Sequence, residues 1–111
     1  MTVEEAVRES LATAPGAILV SVGAGGAGEA VRQIRATDAA FVLLLIDSSV
    51  PALDRAMMIG ALGPLAEDLA PRARIAAIDV AAGASPDDVA AAARFLAAAG
   101  STTGQVLTVS A

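Results

Sequence analysis

Apolar residues along this chain alternate between a helical and an extended spacing. Val3, Val7 and Leu11 recur at helical intervals, with Glu4, Glu5, Arg8 and Glu9 between them, the pattern of one buried helix face. Thr2 with Glu5 fits a capping box at the start of this helix, and Pro15-Gly16 ends it. Ala17–Val22 is a short apolar run of strand length. The glycine-rich turn Gly23-Ala24-Gly25-Gly26-Ala27-Gly28 leads to a helix expected from about Glu29 to Ala36, with Val31 and Ile34 inward. Phe41–Ile46 is continuously apolar, as in a central parallel strand covered on both faces. A longer helix is expected from about Pro51 to Ala70, then a strand at Ile75–Ile78. Ser85-Pro86-Asp87-Asp88 combines an N-cap serine, a proline at the first helical position and two first-turn carboxylates. Val89, Ala92, Ala93 and Leu96 give that last helix its apolar face, and Gly100 is expected to close it in the left-handed conformation. Thr102-Thr103-Gly104 turns into a final strand, Gln105–Val109.

Alternating helices and strands of this kind predict an α/β fold of half-Rossmann-like type, a four-stranded mostly parallel sheet with helices. The 111 residues fit one domain, residues 1–111. Hydrophobic residues make up 56% of the chain but aromatics only 2%, so the core is built from Ala, Val, Leu and Ile. A net charge of −5 argues against nucleic acid and anionic membrane surfaces as partners. The longest apolar run, Ala39–Ile46, is far too short to span a membrane. Glu4, Glu5 and Glu9 make the N-terminus unlike a signal peptide, so a cytoplasmic protein is expected.

Missing residue types narrow the chemistry further. The chain has no His, Lys, Tyr, Cys, Asn or Trp, which removes the common general bases, the Schiff-base amine, the thiol nucleophile and the phenolic acid. Any catalytic site would use Asp, Glu, Ser, Thr, Arg and backbone amides. Without cysteine there is no disulfide, and no metal site is expected.

Several segments carry a family resemblance. Arg94-Phe95-Leu96 and, after the helix, Thr103-Gly104-Gln105-Val106-Leu107-Thr108-Val109 resemble the C-terminal end of the short-chain dehydrogenase/reductase family, 3-oxoacyl-ACP reductase-like proteins in particular. There the last helix carries "xxFLxS" and the last strand begins "TGQxxxVDGG"; here Ser110-Ala111 replaces the DGG ending. Leu65-Ala66-Glu67-Asp68-Leu69-Ala70-Pro71 looks like the family's "LAxELAP" segment, and Ile46-Asp47-Ser48-Ser49 like the strand that ends in the catalytic serine. Val22-Gly23-Ala24-Gly25 stands where the family has "NNAG". The resemblance implies a truncated domain, the second half of the family fold without its first three strands and its TGxxxGxG turn. It also implies that Ser48 or Ser49 matches the serine that holds the substrate carbonyl. The tyrosine position falls on Pro51 and the lysine position on Arg55; proline cannot transfer a proton, and a planar guanidinium does not mimic a compact ammonium. The alternative for Ser48 and Ser49 is a loop and N-cap ahead of the long helix.

A second constellation points to a cofactor. Gly23-x-Gly25-x-x-Gly28 follows a strand and opens a helix, and Asp47 ends the next strand about 20 residues on. That is the layout of a dinucleotide fingerprint, in which glycines admit the pyrophosphate and the carboxylate takes the ribose hydroxyls. The competing expectation is a purely structural glycine turn and no cofactor, with NAD(P) as the alternative.

The long helix points to association. Between Ala56 and Ala66 it carries no charge on any side, and a helix apolar all round needs burial on both sides. Met57, Met58, Ile59 and Leu62 are expected to form an interface, Pro64 to kink the helix, and methionine suits adaptable contacts. In the resembled family this helix joins a four-helix bundle between subunits. Consecutive right-handed crossovers are expected to place most helices on one side, leaving an uncovered sheet face or edge. Two functions therefore stand: a catalytically degenerate reductase-like module acting as a homo-oligomer or as partner of an active reductase or synthase subunit, and an NAD(P)-binding oxidoreductase, or half of one completed by a partner chain.

Overall fold

Helices and strands alternate strictly in the computed structural model, which describes residues 1–111. They are α1 (Val3–Leu11), β1 (Ala17–Ser21), α2 (Gly26–Ala36), β2 (Phe41–Ile46), α3 (Ala52–Leu69), β3 (Arg74–Val80), α4 (Pro86–Ala98) and β4 (Gln105–Val109). The strands form one sheet in the order β1-β2-β3-β4, and every neighbouring pair is parallel. The α/β Rossmann-like arrangement expected from the periodicities is the one observed.

Local chemistry sets the element ends. At α1 the Thr2 hydroxyl accepts from the Glu5 N–H at 3.1 Å while the Thr2 N–H donates to the Glu5 carboxylate at 2.9 Å, closing the capping box. At α4 the Ser85 hydroxyl accepts from the Asp88 N–H at 3.1 Å, with Pro86 in the first turn. Helix α2 starts three residues earlier than its apolar pattern suggests, because Gly26 turns the chain into the helix at a φ of +71°, a conformation open to glycine. Gly100 does not close α4 in the left-handed region; Gly104 is the glycine with positive φ here. Instead the Arg74 guanidinium donates to the carbonyls of Leu96, Ala97, Ala99 and Thr102. Those orphan carbonyls are satisfied without a glycine cap.

The strand β2 is buried along its whole length and splits its side chains between two cores. Val42, Leu44 and Ile46 pack with α2 and α3 through Ala27, Ala30, Ile34, Met58 and Leu62. Phe41, Leu43 and Leu45 pack with α1 and α4 through Val7, Leu11, Val89, Ala93 and Leu96. This is the period of two read directly as two faces.

Both faces of the sheet therefore carry two helices, which corrects the expectation of most helices on one side and an uncovered face. Connections β1–α2–β2 and β2–α3–β3 advance across the sheet with their helices on one face; β3–α4–β4 advances in the same direction with α4 on the other. The last crossover is thus of opposite hand to the first two, against the strong right-handed preference of such units. Helix α1 is the physical counterweight. It lies on the α4 side and supplies Val7 and Leu11 to the same core, and buried Ala6, Ala90, Ala92 and Ala93 give the two helices small contact surfaces. What remains open is the sheet's edges: β1 has no partner beyond β2's side, and Val106 of β4 is exposed.

Helix α3 runs through Pro64 to Leu69. Met58 and Leu62 are 0% and 1% exposed and belong to its sheet-facing side, together with Leu65, Ala66 and Leu69. Leu53, Met57 and Ile59 are 72%, 52% and 37% exposed. Of the four residues expected at an interface, only Met57 and Ile59 are at the surface; helical geometry turns Met58 and Leu62 into the chain's own core. No helix is long and apolar enough to cross a membrane.

Candidate functional site

Parallel pairing brings the carboxyl ends of β1, β2 and β3 to one rim, with Ser21 beside Leu45 and Ile46 beside Asp79. In open α/β sheets ligands bind at this rim. The loop Asp47-Ser48-Ser49, the start of α3, the β1–α2 glycine turn and Asp79 all meet there, so the chain's sequence-predicted site residues do converge. Ser48 and Arg55 line one cavity, Ser49, Gly23 and Asp47 line another, and Gly25 and Gly28 line neither.

Ser48, Arg55 and Asp79 line the first, an open cavity of about 300 Å³, together with Val80, Ala81 and Ala82. Arg55 projects from the first turns of α3 and pairs with the Asp79 carboxylate at the end of β3. Its other terminal nitrogen donates to the Asp47 carbonyl at 2.6 Å. The guanidinium is thereby a strut between the β2 end and the β3 end, its charge answered by Asp79. In this geometry it neither donates a proton nor stands as a free cation. Ser48 is exposed, and its hydroxyl holds no partner within the chain. The site can offer a carbonyl group one hydroxyl donor, with no proton relay behind it.

Asp79 was not among the residues singled out from the sequence. The signal for it is its place as the only acidic residue of β3, otherwise apolar after Arg74. Arg74 was missed for the opposite reason: an arginine at a strand start looks solvated, whereas this one stacks 4.4 Å from the centre of the Phe41 ring and reaches the end of α4.

Ser49 belongs to the second cavity, of about 290 Å³, with Gly23, Asp47, Glu4 and Ser21. Its hydroxyl donates to the Asp47 carboxylate at 2.7 Å and its N–H to the same oxygen at 3.4 Å. The Ser49 hydroxyl bond is the main cause holding the Asp47 carboxyl below its ordinary pKa, with help from the Ser49 and Ser48 amides and the Arg55 charge and against a partial loss of solvation. Ser49 therefore closes the loop onto Asp47, and neither Ser48 nor Ser49 is the N-cap of α3, a position that Pro51 holds without a side-chain cap. Across the cavity the Ser21 hydroxyl donates to Glu4 at 2.6 Å, tying α1 to the end of β1.

Gly23 and Asp47 thus share a cavity, as a dinucleotide fingerprint would have them, but the glycine turn does not make a pyrophosphate cradle. The Gly26 N–H is used by the Gly23 carbonyl at 2.9 Å. The Glu29 side chain lies over Gly25, where a Cβ would meet its own Cβ at 2.6 Å, and an Asp54 carboxylate oxygen would lie 3.4 Å from a Cβ at Gly26. Gly28 faces open space, whereas the third fingerprint glycine serves close helix–strand packing. Glu4, Glu29, Asp47 and Asp54 surround the turn, and Arg32, the cation on α2 nearest it, is paired with Glu29. A phosphate there would meet like charge. The residues present do not fit a dinucleotide in this arrangement. No group of His, Cys, Asp or Glu side chains is placed to hold a metal.

A parallel sheet flanked by helices on both faces, with its loops and side chains gathered at the strands' carboxyl ends, defines a Rossmann-like α/β protein. More narrowly, the model of the family described as "Short chain dehydrogenase-like protein" matches residues 11–109, and the chain belongs to that family. No curated protein and no solved structure matches it.

Proposed function

We propose that this protein is a catalytically degenerate, reductase-like module that works by association, with a second copy of itself or with a reductase-like partner subunit. The observation that carries this reading is the outer side of α3. Leu53, Met57 and Ile59 are exposed there, and from Ala56 to Ala66 no charge interrupts the helix. Gly60 and Gly63 lie on the same outer side with open space at their Cβ positions, so a facing backbone can approach closely. Contiguous exposed apolar surface of this kind marks interaction sites.

The rim chemistry supports the same reading from the other side. Tyr and Lys, the residues that donate and relay the proton in the resembled family, are absent from the chain. Arg55, at the lysine position, is engaged by Asp79, and Ser49 is engaged by Asp47. The expected result is that the protein alone does not oxidise NADPH or NADH in the presence of 3-oxoacyl or ketone substrates. Turnover abolished by Ser48→Ala or Ser49→Ala would overturn the reading.

One observation favours the alternative, an NAD(P)-binding oxidoreductase or half of one: Gly23 and Asp47 line a common cavity. Calorimetry at millimolar NAD(P) separates the two. The association reading expects no saturable heat; saturable binding lost in Asp47→Ala would put the alternative first.

A further inference from the structure

Another recess lies at the opposite end of the sheet from the rim just described. It is a cavity of about 360 Å³ between the loop after α1, the starts of β1, β2 and β3, and the last turns of α4. That volume is within the range of small-molecule sites. Pro15, Ala17, Ala97 and Ala98 give it apolar walls; Thr13, Arg74 and Arg94 give it polar groups; no carboxylate lines it. In a chain with twelve acidic residues against seven arginines, a recess with two guanidiniums and no acid stands apart.

The two arginines do different work. Arg74 is committed: its terminal nitrogens donate to the Leu96, Ala97 and Ala99 carbonyls at the end of α4 and to the Thr102 carbonyl in the loop beyond. Its charge also offsets the partial negative charge of that helix end, so the helix does not repel an anion. Arg94 is uncommitted. It makes no hydrogen bond and no ion pair, although Glu9 and Asp87 line the smaller cavity on its other flank. The Thr13 hydroxyl also has no partner, whereas the Ser10 proton is taken by the Val7 carbonyl at 2.8 Å. Two free donors, one of them charged, therefore face a recess with apolar walls.

We propose that this recess binds a small amphiphilic anion, an aliphatic carboxylate, with its head group on Arg94 and Thr13 and its chain against Pro15, Ala17, Ala97 and Ala98. A charge-assisted hydrogen bond from a guanidinium holds the carboxylate, and burial of the methylenes adds the apolar part of the affinity. The site is independent of the rim and of the association proposed for α3.

The test is an amide chemical-shift titration of the full chain with octanoate, 1-octanol and octylammonium. Octanoate is expected to give saturable shifts at Thr13, Ala14, Ala97 and Ala98, octylammonium none, and octanol binding weaker by about tenfold or more, the loss of a charged hydrogen bond. Arg94→Gln, an exposed position at which the fold is not at stake, should lower octanoate affinity to the octanol level; Thr13→Val should weaken it less. Equal binding of octanoate and octanol would reduce the recess to an apolar cleft and overturn the proposal. So would octanoate binding unchanged in Arg94→Gln, or no saturable shift at these residues.

Discussion

Two side chains at opposite ends of the sheet show how much local order rests on single residues. Arg74 joins β3 to the end of α4 and stacks on Phe41. Replacing it by methionine keeps an apolar stem but leaves the Ala97 carbonyl without its donor, while Leu96 and Ala99 keep backbone partners. Arg74→Met is expected to cost about 2–3 kcal/mol, from charged hydrogen bonds and a cation–π contact, read as a lower urea midpoint with unchanged slope. At the rim, the Ser49 hydroxyl is the first cause of the lowered Asp47 pKa. A carboxyl held lower in the folded chain contributes stability that is present above its unfolded pKa and lost as pH falls through the folded value. Ser49→Ala should therefore move the Asp47 titration upward, seen by carboxyl-carbon NMR. It should destabilise the protein near neutral pH and leave it unchanged once pH is below both values. An unmoved Asp47 titration would contradict the assignment of Ser49 as its partner.

At the scale of elements, α3 separates a side that folds into the core from the outer side proposed for association. Met58 is fully buried against Val42, Leu44 and the α2 side chains, whereas Met57, one residue earlier, is half exposed. Met58→Asp is expected to unfold the chain, because an unpaired charge in that core costs several kcal/mol, roughly. Met57→Asp should leave the circular dichroism and melting curve close to those of the wild type. Equal damage from both would contradict the orientation of the helix. The sequence foretold all eight elements, since each has a strong period or a cap of its own, as with Phe41–Ile46 and Ser85-Pro86. It did not foretell which side of α3 faces inward: a segment apolar all round, such as Ala56–Ala66, carries no period to read. Nor did it reveal the switch of α4 to the other face. That placement depends on α1 supplying a mate for Val89, Ala93 and Leu96, a tertiary fact invisible to local pattern. The site was legible in the same uneven way. Ser48, Ser49, Arg55, Asp47 and Gly23 do meet at the rim. Their pairings, Arg55 with Asp79 and Ser49 with Asp47, depend on strand register and only the fold supplies that.

At the scale of the whole molecule, the sheet is covered on both faces and its two core clusters are full. What stays unsatisfied lies outside: the apolar outer side of α3, Phe95 on α4, Val106 on the edge strand β4, and the open edge of β1, a strand with no proline or charge to guard it. We propose contact more than turnover for this chain of the short-chain dehydrogenase-like family, because its proton-relay residue types are absent and three of its six large exposed apolar side chains, Leu53, Met57 and Ile59, lie on α3, the others being Met1, Phe95 and Val106. Sedimentation velocity of the wild type and of Met57→Asp at micromolar concentration tests that directly. The account predicts a wild type heavier than the 10.9 kDa chain and a folded variant that sediments as a monomer. A wild type that is monomeric under these conditions, alone and with reductase-like candidate partners, would contradict it.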